Sequence, residues 1–125
     1  MKRDNLLNQL QDAYERLAEA AKMEPTHDII VDGTIQRFEF TFELTWKTLK
    51  AFLEDQGILC YSPKTCLREA YRMGWIDDES SWLSLQKARN LTSHVYNQIM
   101  AREIYNEVVA SHEIIAALIS TLKTL

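Results

Sequence analysis

Between Asp32 and Gln56 the chain contains no proline, and its apolar residues return every three or four positions: Ile35, Phe38, Phe42, Trp46, Leu49 and Leu53. That period matches the turn of an α-helix and not the alternation of a strand. A helix of this length crosses an entire small domain, so the remaining elements must be arranged around it. Gly57 supplies its C-terminal stop. At about 100° per residue, Phe40 and Leu44 fall on nearly the opposite side from this stripe. A helix with apolar residues on two sides is buried on two sides. The second side meets either another helix of the same chain or a second copy, and a two-fold dimer is the expectation.

The rest of the chain reads in the same way. Leu6, Leu10, Tyr14, Leu17 and Ala21 form one stripe over about Asp4 to Met23, ended by Pro25 and Thr26-His27-Asp28. Ser62-Pro63 pairs a capping residue with proline at the first helical position and opens a third helix that stops near Gly74. A fourth starts at Asp77 or Asp78 and runs through Trp82, Leu85 and Arg89. A last one covers about Met100 to Leu122, with Ile104, Val108, Ile115, Leu118 and Leu122 turned inward. Only 3 Gly and 2 Pro occur in 125 residues, too few for many strands joined by tight turns. The expected fold is all-α: one domain over residues 1–125, an antiparallel four- to five-helix up-and-down bundle that dimerises.

Charge and cysteine content narrow the function. A net charge of −4 disfavours general nucleic-acid binding, so any RNA contact needs a local basic surface. Lys64, Arg68 and Arg72 recur at four-residue steps and share a face. They form either a solvated face or a ridge for phosphate or an acidic partner. Cys60 and Cys66 have no second pair and no His cluster beside them, so reduced thiols are expected and no metal. No stretch approaches the ~20 apolar residues of a membrane span. The Met-Lys-Arg-Asp start leads into no apolar signal run, so a cytoplasmic location is the expectation.

One grouping has chemical potential. Gly-rich phosphate loops, metalloprotease helices and nucleophile elbows are all missing, and no cofactor is expected. Glu39, Glu43 and Lys47 lie one turn apart and read as an ion-pair ladder, with a supporting role beside a site as the alternative. His27 and His112 are isolated. His94 stands with Arg89, Asn90, Ser93 and Tyr96. An imidazole moves a proton near neutral pH. A guanidinium holds phosphate oxygens in a fork. Together they suffice for metal-independent RNA cleavage, with His94 assisting attack by the ribose 2′-hydroxyl and Arg89 stabilising the developing charge. On a regular helix, however, residues five apart are rotated by roughly 140°. Arg89 and His94 cooperate only if the helix breaks between Asn90 and Ser93, with Thr92 or Ser93 capping a new one, or if two copies of the motif meet across a dimer.

Arg89-x4-His94-x-Tyr96 resembles the R-x4-H-x-Y signature of the HEPN superfamily. With the segments Gln36–Lys50, Ser62-Pro-Lys, Arg68-Glu-Ala, Gly74-Trp-Ile-Asp and Ala88–Tyr96, nearly the whole chain resembles the nucleotidyltransferase substrate-binding protein family. The resemblance implies a dimeric helical bundle whose partner is a separately encoded minimal nucleotidyltransferase. It implies a toxin-like RNase with Arg89 and His94 as catalytic pair and Tyr96 as the residue that the transferase modifies with AMP. Asn90 and Ser93 would assist in holding the nucleotide. An older reading of the same family makes the chain a non-catalytic subunit that presents substrate.

Overall fold

A computed structural model describes residues 2–125. Six helices follow one another: α1 Lys2–Ala21, α2 Asp28–Asp55, α3 Pro63–Arg72, α4 Glu79–Leu91, α5 Gln98–Ser111 and α6 Glu113–Leu122, with a single 3₁₀ turn, Thr92–His94, after α4. Among the described residues no helix is long and apolar enough to cross a membrane. The helical bundle expected from periodicity is present, and α2 is its longest member at 28 residues.

α2 packs against α1, α3, α4 and α5. Its main stripe is buried, with Phe38, Phe42 and Leu53 nearly inaccessible, and Phe52 joins it. The contact with α1 is antiparallel and rests on threonine. Thr34, Thr41, Thr45 and Thr48 are all fully buried. Each hydroxyl donates to the carbonyl four residues earlier, at 2.6–2.7 Å. This local bond satisfies a hydroxyl that would otherwise be costly to bury. Thr41 and Thr48 also approach the carbonyls of Ala13 (3.3 Å) and Leu6 (3.4 Å) on α1. Small side chains at this seam admit Leu10 and Leu17 of α1 into the core, where both are fully buried. α1 then runs antiparallel to α6: Tyr14 meets His112, and Arg3 donates to the carbonyl of Leu125 at 2.8 Å.

The turns follow their residues. Gly57 and Gly74 hold φ of 77° and 78° after α2 and α3. In each, the residue after the glycine donates back five positions, Ile58 to Leu53 and Trp75 to Ala70, while the glycine itself donates to the carbonyl three before it. This pair of bonds closes a helix at a left-handed residue, which glycine adopts without a Cβ clash. Ser62 starts α3 with a reciprocal cap, its hydroxyl accepting from the Thr65 N–H and its own N–H donating to the Thr65 hydroxyl.

Three expectations need correction. α2 begins at Asp28, one turn before Asp32, with Gly33 inside the helix. The final helix is not continuous: α5 and α6 are separated at His112. The apolar spacing runs through this point without a break. At this point the buried His112 meets the partly buried Tyr14, its Nδ1 3.0 Å from the Tyr14 hydroxyl. Cys60 and Cys66 are not free thiols but are joined in a disulfide. The chain reverses after Gly57, bringing their Cα atoms to 5.3 Å with both side chains buried. Their spacing spans a loop and the first turn of α3, which sequence separation alone does not reveal.

Burial pushes the His112 imidazole below its ordinary value, outweighing Glu113, which favours the cation; Lys22 opposes it as well. The unfolded chain therefore takes up a proton more readily than the folded one. Stability contributed by neutral His112 is complete above the unfolded value of about 6.5 and declines as the pH falls below it towards the depressed folded value. Urea unfolding between pH 7.5 and 5 should show a smaller loss of stability for His112→Gln than for the parent chain. Equal losses would show that this histidine does not set the acid response.

Candidate functional site

α4 ends within the segment where one of the two alternatives from the sequence placed a break. Leu91 is its last residue, Thr92–His94 form the 3₁₀ turn, and Val95 is extended. Two hydroxyls terminate α4 by turning back on it: Thr92 donates to the Arg89 carbonyl at 2.7 Å and Ser93 to the Asn90 carbonyl at 3.1 Å. These bonds occupy carbonyls that the helix end leaves without a partner. Thr92 and Ser93 thus close the old helix and do not cap the new one. That task falls to Asn97, whose side-chain oxygen accepts from the Met100 N–H at 2.9 Å. The segment between the two caps carries His94 and Tyr96. Both are exposed, Tyr96 by 79%.

Arg89 is held from two directions. Its Nη1 donates to the Thr92 hydroxyl at 3.2 Å, and its Nη2 lies 3.8 Å from Oε2 of Glu43 on α2. The same Glu43 pairs with Lys47 at 3.9 Å. Of the expected ladder only the Glu43–Lys47 rung is present among the described residues, with Glu39 outside it, and Glu43 extends it to the motif. The Arg89 Nε and the neighbouring indole donor of Trp46, one turn along α2 from Glu43, are buried without a hydrogen-bond partner. Among the described residues no hydrogen bond or ion pair joins Arg89 to His94 or Tyr96. The arrangement is a positively charged anchor, half-buried and positioned by Glu43 and Thr92, next to an imidazole and a phenol presented to solvent.

The other sequence-derived candidates lie elsewhere. Asn90 and Ser93 flank the motif and are exposed, engaged through the bond just described. Lys64, Arg68 and Arg72 occupy α3, where Arg72 pairs with Glu69 at 2.8 Å. Phe40 is 57% exposed and Leu44 half-buried, so no helix of the same chain covers Phe40. A groove of about 320 Å³ between α4 and α5 is lined by Lys87, Leu91, Met100 and Ile104 among others and lies on the side of α4 away from Arg89. Glu43 and Thr92 are the residues that inspection of the motif alone undervalues. Thr92 stands three after Arg89 and Glu43 far from it in sequence, so only the first carries a local signal.

Comparison with known proteins gives a consistent picture. The family model described as nucleotidyltransferase substrate binding protein like matches residues 5–124. The chain is 39% identical over 93 residues to a Haemophilus influenzae protein named probable ribonuclease HepT. That match covers 69% of this chain and 64% of the relative, so the chain spans somewhat less than two thirds of that protein. A crystal structure from Thermus thermophilus superposes with a TM-score of 0.77 at 34% identity, covering 92% of this chain and 96% of that one. A second structure, from Haemophilus influenzae, superposes equally well at 0.77 with 32% identity, covering 94% of this chain and 98% of its own. It is described as having the fold of a substrate binding domain of a nucleotidyltransferase.

Proposed function

The chain belongs to the nucleotidyltransferase substrate-binding protein-like family, and from that premise we propose that it is a toxin-like, metal-independent RNase of the HEPN type, restrained by a separately encoded nucleotidyltransferase. The observation that carries this reading is the broken helix end, which presents His94 within a few residues of a fixed Arg89. A regular helix would have turned the two apart. The relative named as a probable ribonuclease supports the same activity.

The proposed chemistry needs only these groups and the substrate. His94 in its neutral form accepts the proton of a ribose 2′-hydroxyl. The oxygen attacks the adjacent phosphorus, the bond to the 5′-oxygen breaks, and that oxygen leaves with the proton that the His94 imidazolium gives up. The products are a 2′,3′-cyclic phosphate and a 5′-hydroxyl. Arg89 offsets the charge that grows on the phosphoryl oxygens. Purified protein should cleave RNA, and His94→Ala or Arg89→Ala should lower the rate by about two orders of magnitude or more. Equal rates for all three proteins overturn the RNase reading.

Tyr96 is the proposed point of restraint. Its phenol oxygen attacks the α-phosphorus of ATP bound to the transferase, an ester to AMP forms, and pyrophosphate leaves. The added phosphate places negative charge and bulk beside Arg89 and His94. With the transferase and ATP, mass spectrometry should find one AMP on Tyr96 and none on Tyr96→Phe. Label elsewhere, or none, rejects the assignment.

A second reading is favoured by the description of the Haemophilus influenzae structure: a non-catalytic subunit that presents substrate to the transferase. It requires nucleotide binding through the motif without RNA cleavage.

The site is open to solvent on one chain, and the exposed Phe40 supplies a means of closing it, a second copy related by a two-fold axis, while Leu44 is partly packed against its own core. Light scattering should give twice the chain mass of 14.6 kDa, and Phe40→Glu should halve it. A monomeric parent chain overturns the dimer.

A further inference from the structure

α3 and α4 differ from the rest of this acidic molecule. α3 bears Lys64, Arg68 and Arg72 against Glu69 alone, and α4 bears Lys87 and Arg89 against Glu79 alone. Each of the other four helices carries more acid than base. Of the three cations on α3, only Arg72 is neutralised, by Glu69. Among the described residues neither Lys64 nor Arg68 has an ion-pair partner. Lys64, Arg68 and Tyr71 fall within about 60° of one another around the helix. Tyr71 is 45% exposed. Tyr61, just before the helix, is 72% exposed and has the Lys50 ammonium over its ring, 5.4 Å from the centroid. The Cys60–Cys66 disulfide ties the backbone beside Tyr61 to the first turn of α3.

We propose that Tyr61, Lys64, Arg68 and Tyr71 form a track that binds single-stranded RNA. Unpaired cations attract the phosphates, and two open phenol rings offer stacking faces that any unpaired base can use. A duplex hides its base faces and gains only the charge term. An acidic protein would likewise gain from the cations but has no bases to stack on the rings.

Lys64 and Arg68 share a groove of about 210 Å³ with Glu79, Trp82 and Leu83 at the start of α4. Trp82 is buried at its floor, and Leu83 is exposed. The inference rests on the RNA-cleaving reading for its purpose, but the binding itself is measured independently.

The test uses fluorescence anisotropy of a labelled 2′-O-methyl oligouridine, which binds as a single strand and cannot be cut by its own 2′-oxygen. The full chain should bind it, and more tightly than a duplex of the same length. Lys64→Ala with Arg68→Ala should weaken binding about tenfold and flatten the salt dependence by about 1.4 in log–log slope, ~0.7 for each lost phosphate contact. Tyr61→Ser and Tyr71→Ser should each weaken it about fivefold. The charge-keeping pair Lys64→Arg with Arg68→Lys should bind within about twofold of the parent, which controls for folding. Ridge-dependent binding without any cleavage of ordinary RNA supports the track while removing the RNase reading. No binding by the parent chain, or binding with unchanged strength and salt slope in the Lys64, Arg68 variant, overturns the track even where cleavage is found. So does a ridge variant that loses only an acidic protein partner.

Discussion

The seam between α1 and α2 sets the geometry of this protein. Four buried threonines on α2 return their hydroxyls to their own helix, so a polar line costs little when α1 closes over it. Larger residues at these positions would hold α1 away and leave voids beside Leu10 and Leu17, and interiors tolerate voids poorly. With α1 seated along one side, the stripe from Phe38 to Leu53 remains for the other helices. One face of α2 is still left over, and it bears Phe40, Glu43 and Lys47. Fixing α1 therefore also fixes which side of α2 is available to the motif and to a second copy.

The site depends on a local failure of helix continuity. Arg89 must stay on α4 so that Glu43 can reach it from α2. His94 and Tyr96 must leave the helix to become accessible. Two side-chain bonds from Thr92 and Ser93 accomplish the exit, and Asn97 restarts the helix. Each replaces backbone partners that a continuous helix would have supplied, at a contribution of about 1 kcal/mol for a good cap. The exposed segment is thus anchored on both sides, which limits the entropy lost when a ligand or partner holds it.

Much of this was legible in the residues, and the failures have physical causes. Long apolar periods locate α1 and α2, and Gly57, Ser62-Pro63 and Gly74 mark their turns, because these signals are local. The break after Leu91 followed from a geometric conflict between a five-residue spacing and a helical turn. Which residue restarts the helix did not follow, because Thr, Ser and Asn are all good caps and context chooses among them. The His112 break was invisible for the opposite reason: the apolar pattern continues through it, and the residue that His112 meets there, Tyr14, lies near the other end of the chain. The disulfide and the Glu43–Arg89 pair are likewise tertiary. They depend on a chain reversal and on a helix crossing that no window of sequence contains.

Glu43 gives the site its balance. At 3.8 Å, with both side chains partly exposed, its pair with Arg89 belongs to the class worth about 0–1 kcal/mol. Lys47 competes for the same carboxylate. The guanidinium is therefore oriented but weakly held, and its buried Nε remains without an acceptor. A phosphate approaching from solvent offers two oxygens in fork geometry, a stronger match than one shared carboxylate at this distance. Replacing Glu43 with a close bidentate partner would rigidify Arg89 and raise the cost of giving it up. A neutral residue there would leave Arg89 without its only ionic guide on α2. The loose pair avoids both outcomes, keeping the cation aimed at the open surface and available for exchange.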